Sequence, residues 1–216
     1  VAEALKEKIG IWNKPYIVLE DIISIKDHVL KNNFKNKHFT IIYGGALCKR
    51  FGVEILADAV HMSTNQLLNL EFYGSGESVE YIKFLSQKDN RIQWRGIVSY
   101  GELQKIQANA DLLVNPRPSN ETFSAYSFPS KTMEYMASGV PTLLYKLPGI
   151  PDEYYNYCYS LEDDSVGTLS EAIKTICYTD KHVLEEKGRT ARDFIIGQKG
   201  PEKQCSKIVN MLKLIK

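Results

Sequence analysis

Short apolar runs recur along this chain, and each is followed by a stretch whose apolar residues repeat at helical spacing. FTIIY (39–43) precedes VEILADAVHM, with Val53, Leu56, Ala57 and Val60 in register; LNLEFY (68–73) precedes ESVEYIKFLSQ, with Val79, Ile82 and Leu85. IQWRG (92–96) leads to Ser99 and Glu102, a capping box that opens ELQKIQANA. DLLVNP (111–116) is followed, after a long loop, by a helix between Pro129 and Gly139. PTLLY (141–145) and YCYS (157–160) come next, and Thr168 with Glu171 is read as the cap of LSEAIKTIC. Strands and helices in alternation predict an α/β fold, a doubly wound parallel sheet of Rossmann-like type.

The two ends break the pattern. Residues 1–35 hold a strand candidate, YIVL (16–19), and a short helix in IISIKDHVLKNN, and are assigned to the end of a preceding domain plus a linker. Residues 36–200 form the main domain. Residues 201–216 form a last helix that starts at Gly200-Pro201 and carries Cys205, Ile208, Val209, Leu212 and Ile215 on one stripe, enough to require a partner surface. The chain opens at Val1, not Met, and is expected to be part of a longer protein.

Composition narrows the function. With 27 Lys+Arg against 26 Asp+Glu the net charge is +1, and no basic run with interleaved aromatics suggests a nucleic-acid groove. Cys48, Cys158, Cys177 and Cys205 are widely spaced, which argues for neither a zinc site nor a disulfide framework and fits a reducing cytoplasm. His28, His38, His61 and His182 are scattered and are read as surface or packing residues. No apolar run reaches the length of a membrane helix.

In an open parallel sheet, ligands bind beyond the carboxyl ends of the strands. After the first strand come Gly44 and Gly45, then Lys49 and Arg50; after the second come Gly74, Ser75 and Gly76; after the third, Gly96, Ile97 and Val98. After the fourth comes NPRPSNETFSAYSFP, which contains Arg117 and is long for a loop in a compact domain. Glycines admit phosphate close to backbone N–H groups, and helix N-termini add partial positive charge. The same glycines are also ordinary turn residues. GxGxxG and GxxxxGK[ST] are both absent, which disfavours a nicotinamide dinucleotide site and a P-loop. In SFPSKTMEYMASGVP (127–141), Lys131 and Glu134 have two readings. They are a solvated pair three residues apart, or a cation and a carboxylate offered to a ligand beside Ser130 at the helix N-terminus.

YGGAL (43–47), FYGSGE (72–77), RIQWRGIVSYGEL (91–103), ADLLVNPR (110–117) and SKTMEYMASGVP (130–141) together resemble the C-terminal domain of retaining glycosyltransferases of family 4, which have the GT-B fold. The likeness spans about residues 38–200, and FPSK..EY resembles the bacterial surface-polysaccharide branch. It implies that the domain binds a nucleotide diphosphate sugar, needs no metal or other cofactor, and works with an N-terminal acceptor-binding domain absent here. Peripheral association with the inner face of the membrane through that domain is compatible with it.

By this resemblance Glu134 matches the second glutamate of E-x7-E, which holds ribose hydroxyls. Ile97 and Val98 match the loop that meets the base, and Gly139 and Pro141 the turn that follows. Two positions depart. Tyr126 stands where the first motif glutamate is expected, leaving Glu121 as the nearest acid for a catalytic role at the sugar. Gly45, Ala46 and Phe51 occupy the region of the usual phosphate cations, so Lys131 is ranked first as their replacement, also in a catalytic role, then Lys49 and Arg50, with Arg117 as a further candidate. Two rival readings are a sugar-nucleotide epimerase of the same fold and a non-catalytic domain that retains the fold for interaction. The epimerase would want further acid and base residues; the interaction domain draws on Tyr126 and Phe51.

Overall fold

The computed structural model describes residues 2–10, 16–23, 38–120 and 122–214. Six strands form one sheet: β1 (Phe39–Gly44), β2 (Leu68–Tyr73), β3 (Ile92–Trp94), β4 (Leu112–Asn115), β5 (Thr142–Tyr145) and β6 (Tyr159–Leu161). Every pairing is parallel and the order is β3-β2-β1-β4-β5-β6. The expected doubly wound sheet is therefore observed.

The central strands β4 and β5 are buried along their whole length because both faces of the sheet are covered there. Ile41, Tyr43, Leu112, Val114, Leu143 and Tyr145 point into one core, shared with α2 (Val53–Met62), α3 (Val79–Lys88) and α6 (Val166–Cys177). Ile42 and Leu113 point the other way, onto α4 (Tyr100–Ala108) and α5 (Ser130–Ser138). The α2 stripe read from the sequence, Val53, Leu56, Ala57 and Val60, is fully buried.

Local signals set most boundaries. The Ser99 hydroxyl accepts from the Glu102 N–H and starts α4. α5 follows Pro129 and stops at Gly139, whose φ is 78°. The cap expected at Thr168 is instead Ser165, whose hydroxyl accepts from the Thr168 N–H, so α6 begins three residues earlier.

Sequence periodicity did not single out α7 (Lys181–Lys199), which Asp180 caps by accepting from the His182 N–H. Its buried apolar residues, Leu184, Gly188, Ala191, Phe194 and Ile195, alternate with charges over 19 residues, and that dilutes the apolar signal. α7 lies against α5. A Cβ on Gly188 would stand 2.0 Å from the Gly139 carbonyl oxygen, and Arg192 donates to the Ala137 carbonyl.

The ends also differ from expectation. Residues 16–23 form no strand; the segment is held by its side chains. Glu20 pairs with Lys199 at 2.8 Å and accepts from the Tyr154 hydroxyl, while Ile23 enters the core beside α5 and α7. Residues 24–37, which include most of the expected second helix, lie outside the described residues. α1 (Ala2–Ile9) precedes them, and α8 (Pro201–Leu214) follows α7. On α8, Cys205, Val209 and Leu212 are exposed, Ile208 is half-buried, and Ile215 lies outside the described residues. Among the described residues no helix is long and apolar enough to cross a membrane.

One buried cation holds the turn between α2 and β2. Arg91 donates to the carbonyls of Val60, Ser63 and Asn65 and forms a 2.6 Å pair with Asp89, each side chain 8% exposed. Removing the guanidinium would leave the buried Asp89 carboxylate with only His61, at 3.1 Å, as a side-chain partner among the described residues and take a donor from each of three carbonyls, so Arg91→Met is expected to cost about 3 kcal/mol in urea unfolding. The same contact sets an acid response. The Arg91 hydrogen bond holds the Asp89 carboxyl at about 2, below its ordinary value. Its contribution is complete above about pH 4 and is lost as pH falls through 2, so the variant should lose less stability than the parent across that interval.

Candidate functional site

The crevice is a consequence of strand order. Chain winding reverses between β1 and β4, so the loops leaving their carboxyl ends diverge and no crossover helix closes the gap. Two glycines bring the neighbouring loops together. Gly52 (φ 75°) passes so close to the end of β4 that a Cβ would stand 1.8 Å from the Pro116 oxygen. Gly74 (φ 128°) does the same against the Gly45 oxygen, at 1.9 Å. Both positions therefore exclude a side chain, and both serve close backbone approach.

A cavity of about 530 Å³ opens at this point. Four of the residues singled out in the sequence line it: Arg50 from the β1 loop, Arg117 from the end of β4, and Ser130 and Lys131 from the first turn of α5. No side chain caps that turn, so the cavity meets the positive end of a helix dipole. Asn115 donates to the Thr132 hydroxyl at 3.1 Å and ties β4 to α5.

Each cation rests on an aromatic ring. The Lys131 ammonium lies 3.9 Å from the centre of the Tyr43 ring, and a Cβ on Gly45 would come within 2.9 Å of it. The Arg117 guanidinium, in a side chain only 6% exposed, lies 4.1 Å from the Phe123 ring centre; that of Arg50 lies 4.9 Å from Phe51. Burial pulls the Lys131 amine down to about 8, with Glu134 and Cys48 acting the other way.

Lys131 and Glu134 thus part company. Lys131 turns to Tyr43, while Glu134 accepts a 3.5 Å hydrogen bond from the Tyr100 hydroxyl, just after the loop of Ile97 and Val98. Burial raises the Glu134 carboxyl above its ordinary value, with Asp21 adding to the rise. Ile97 is 73% exposed, and Val98 packs against the α4–α5 core.

The remaining candidates separate. Lys49 is exposed, pairs with Glu54 at 3.7 Å and is not part of the cavity lining, because its short 3-10 turn directs it toward α2. Gly44 sits under Leu103 and Tyr135, with its N–H donating to the Tyr135 hydroxyl at 3.4 Å. Glu121 lies outside the described residues, and Tyr126 is exposed, with the Lys8 ammonium 4.6 Å from its ring centre. Sequence reasoning missed Tyr43, Asn115 and Phe123 as cavity residues and treated Phe51 only as a departure. The polar Asn115 ending an otherwise apolar strand was the available signal.

An all-parallel 3-2-1-4-5-6 sheet with an open crevice at β1 and β4 is a Rossmann-like fold, and it matches one half of the GT-B architecture. The family model described as "Glycosyl transferases group 1" matches residues 38–179, and the chain belongs to that family. Sucrose-phosphate synthase from Thermosynechococcus elongatus superposes with a TM-score of 0.78 at 18% identity, over 99% of this chain and 56% of that one. A mutant of S. aureus TarM in complex with Fondaparinux, alpha-GlcNAc-glycerol and UDP gives 0.76 at 14% identity, over 97% and 42%. The C-terminal domain of LpcC, a glycosyl transferase group 1 family protein from Francisella tularensis, gives 0.62 at 15%, over 83% and 99%. The chain therefore spans about half the length of the first two and nearly all of the third. No curated protein matches it in sequence.

The Lys131 amine supplies a test of the site's electrostatics. Its folded value near 8 lies below the usual lysine value near 10.4, so the unfolded chain binds more protons between those limits. Stability should therefore rise as pH increases from 8 to 10, and Lys131→Met should remove that component of the rise in chemical denaturation.

Proposed function

We propose that this chain is the nucleotide-sugar-binding half of a retaining glycosyltransferase, which moves the glycosyl group of a nucleoside diphosphate sugar to an acceptor hydroxyl in polysaccharide or glycolipid synthesis. The observation that carries the reading is the convergence of Arg50, Arg117 and Lys131 with the uncapped N-terminus of α5 in one cavity at the β1–β4 crevice. Three cations and a helix dipole suit a diphosphate better than any neutral ligand. The TarM mutant structure, which contains UDP, supports the assignment of ligand class.

Each group then has a task. In the reaction the bond from the anomeric carbon to the diphosphate oxygen breaks, and a bond to the acceptor oxygen forms on the same face. The acceptor proton passes to the leaving phosphate. Charge accumulates on the diphosphate, and fixed cations lower the barrier because they are in place before it develops. Lys131, Arg117 and Arg50 fill that role, so no metal or other cofactor is invoked. Ser130 and the first-turn amides of α5 hold phosphate oxygens. Gly45 and Gly74 keep the adjoining loops narrow.

Glu134 binds the ribose hydroxyls, with Tyr100 orienting its carboxylate and Ile97 and Val98 flanking the base. Glu121 is assigned to the donor sugar in place of the motif glutamate replaced by Tyr126. The acceptor belongs to a preceding domain outside this chain, so the chain alone binds donor and does not transfer. Catalysis is placed in the cytoplasm, at the inner face of the membrane when the acceptor is lipid-linked.

Calorimetry with UDP, GDP and ADP tests the ribose contact. Loss of hydrogen bonds to a charged carboxylate should weaken the best of the three by about ten-fold in Glu134→Ala. An unchanged dissociation constant in that variant would remove Glu134 from the site.

A further inference from the structure

Phe123 was assigned no role from the sequence, yet its ring lies against two of the three cavity cations. The Arg117 guanidinium lies 4.1 Å from its ring centre, that of Arg50 lies 6.0 Å away, and the Phe51 ring meets it edge-on at 6.2 Å and 85°. Arg50, Phe51 and Phe123 join two loops that are far apart in sequence, one after β1 and one after β4. Phe123 lies in the 3-10 turn Thr122–Ala125, and Phe51 ends the turn Lys49–Phe51.

We propose that Phe123 is the positioning residue of the phosphate site, its ring holding the Arg117 guanidinium, and more distantly that of Arg50, in the orientation that receives the diphosphate. This rests on the functional reading above and deepens it. An aromatic face attracts a guanidinium through its quadrupole without neutralising it. Arginine loses substantial rotamer entropy when immobilised. A ring that restrains it before the ligand arrives reduces that cost at binding. Lys131 on the Tyr43 ring repeats the device within the same cavity.

Inorganic pyrophosphate is the probe, because it reports on the phosphate subsite without requiring the base or the sugar. Its binding to the 216-residue chain is followed by NMR titration in the parent, Phe123→Leu, Phe123→Tyr, Arg117→Ala and the Phe123→Leu/Arg117→Ala double variant. Phe123→Leu should weaken binding about five-fold, and Phe123→Tyr should restore it to within about two-fold of the parent. In the Arg117→Ala background Phe123→Leu should have little further effect, since the ring would have no guanidinium to hold. Equal losses with and without Arg117, or no loss in Phe123→Leu when the parent binds, would overturn the proposal. Failure of the parent to bind pyrophosphate would instead overturn the diphosphate reading on which it rests. Thermal melts of each variant separate a folding defect from a binding defect, and Phe123→Met takes the place of Phe123→Leu if that variant does not fold.

Discussion

The structure depends on one constraint: parallel strands cannot be joined by tight turns. Each must be left by a loop at its carboxyl end and re-entered through a crossover helix, so all functional loops gather along one edge of the sheet. Where the winding reverses, between β1 and β4, two of those loops separate. Burial of both sheet faces supplies the energy for this arrangement, and the crevice comes with it. The cavity is a product of topology before any polar residue is considered.

What fills the crevice is an electrostatic arrangement with uncommon supports. Lys131, Arg50 and Arg117 converge there, and an aromatic ring lies against each of them. Desolvation costs the Lys131 ammonium part of its affinity for a proton, and an anion in the cavity would return it. The cost is sustained by rigid neighbours. α7 packs Gly188 against the carbonyl of Gly139 at the end of α5, and the Asn115–Thr132 hydrogen bond fixes α5 to β4. The helix that presents Ser130 and Lys131 is thereby held at both ends.

Much of the fold was legible because local and global preferences agree. Apolar strands, the Ser99 cap, and the stops at Pro129 and Gly139 are written in neighbouring residues, and the structure follows them. α7 was not legible, since its buried positions are small or widely spaced among charges on a 19-residue helix. YIVL (16–19) misled for the opposite reason. Its β-branched run fits a strand, but the Glu20–Lys199 pair and the Tyr154 hydroxyl fix the segment against the C-terminal helices.

For the site, the sequence by itself determined the helix at 130–138, the carboxyl-end location of the loops and the set of available cations. It determined them because they depend on residues close together along the chain. Tertiary structure decided which cations share a cavity. Lys49 and Arg50 are adjacent in sequence, yet one pairs with Glu54 and the other lines the crevice. Lys131 and Glu134 lie on one helix, yet one meets Tyr43 and the other Tyr100. The Phe51 ring meets Phe123, and the Arg50 guanidinium lies 6.0 Å from it, only because β1 and β4 are neighbours in the sheet. That adjacency is settled by long-range packing, which no local pattern encodes.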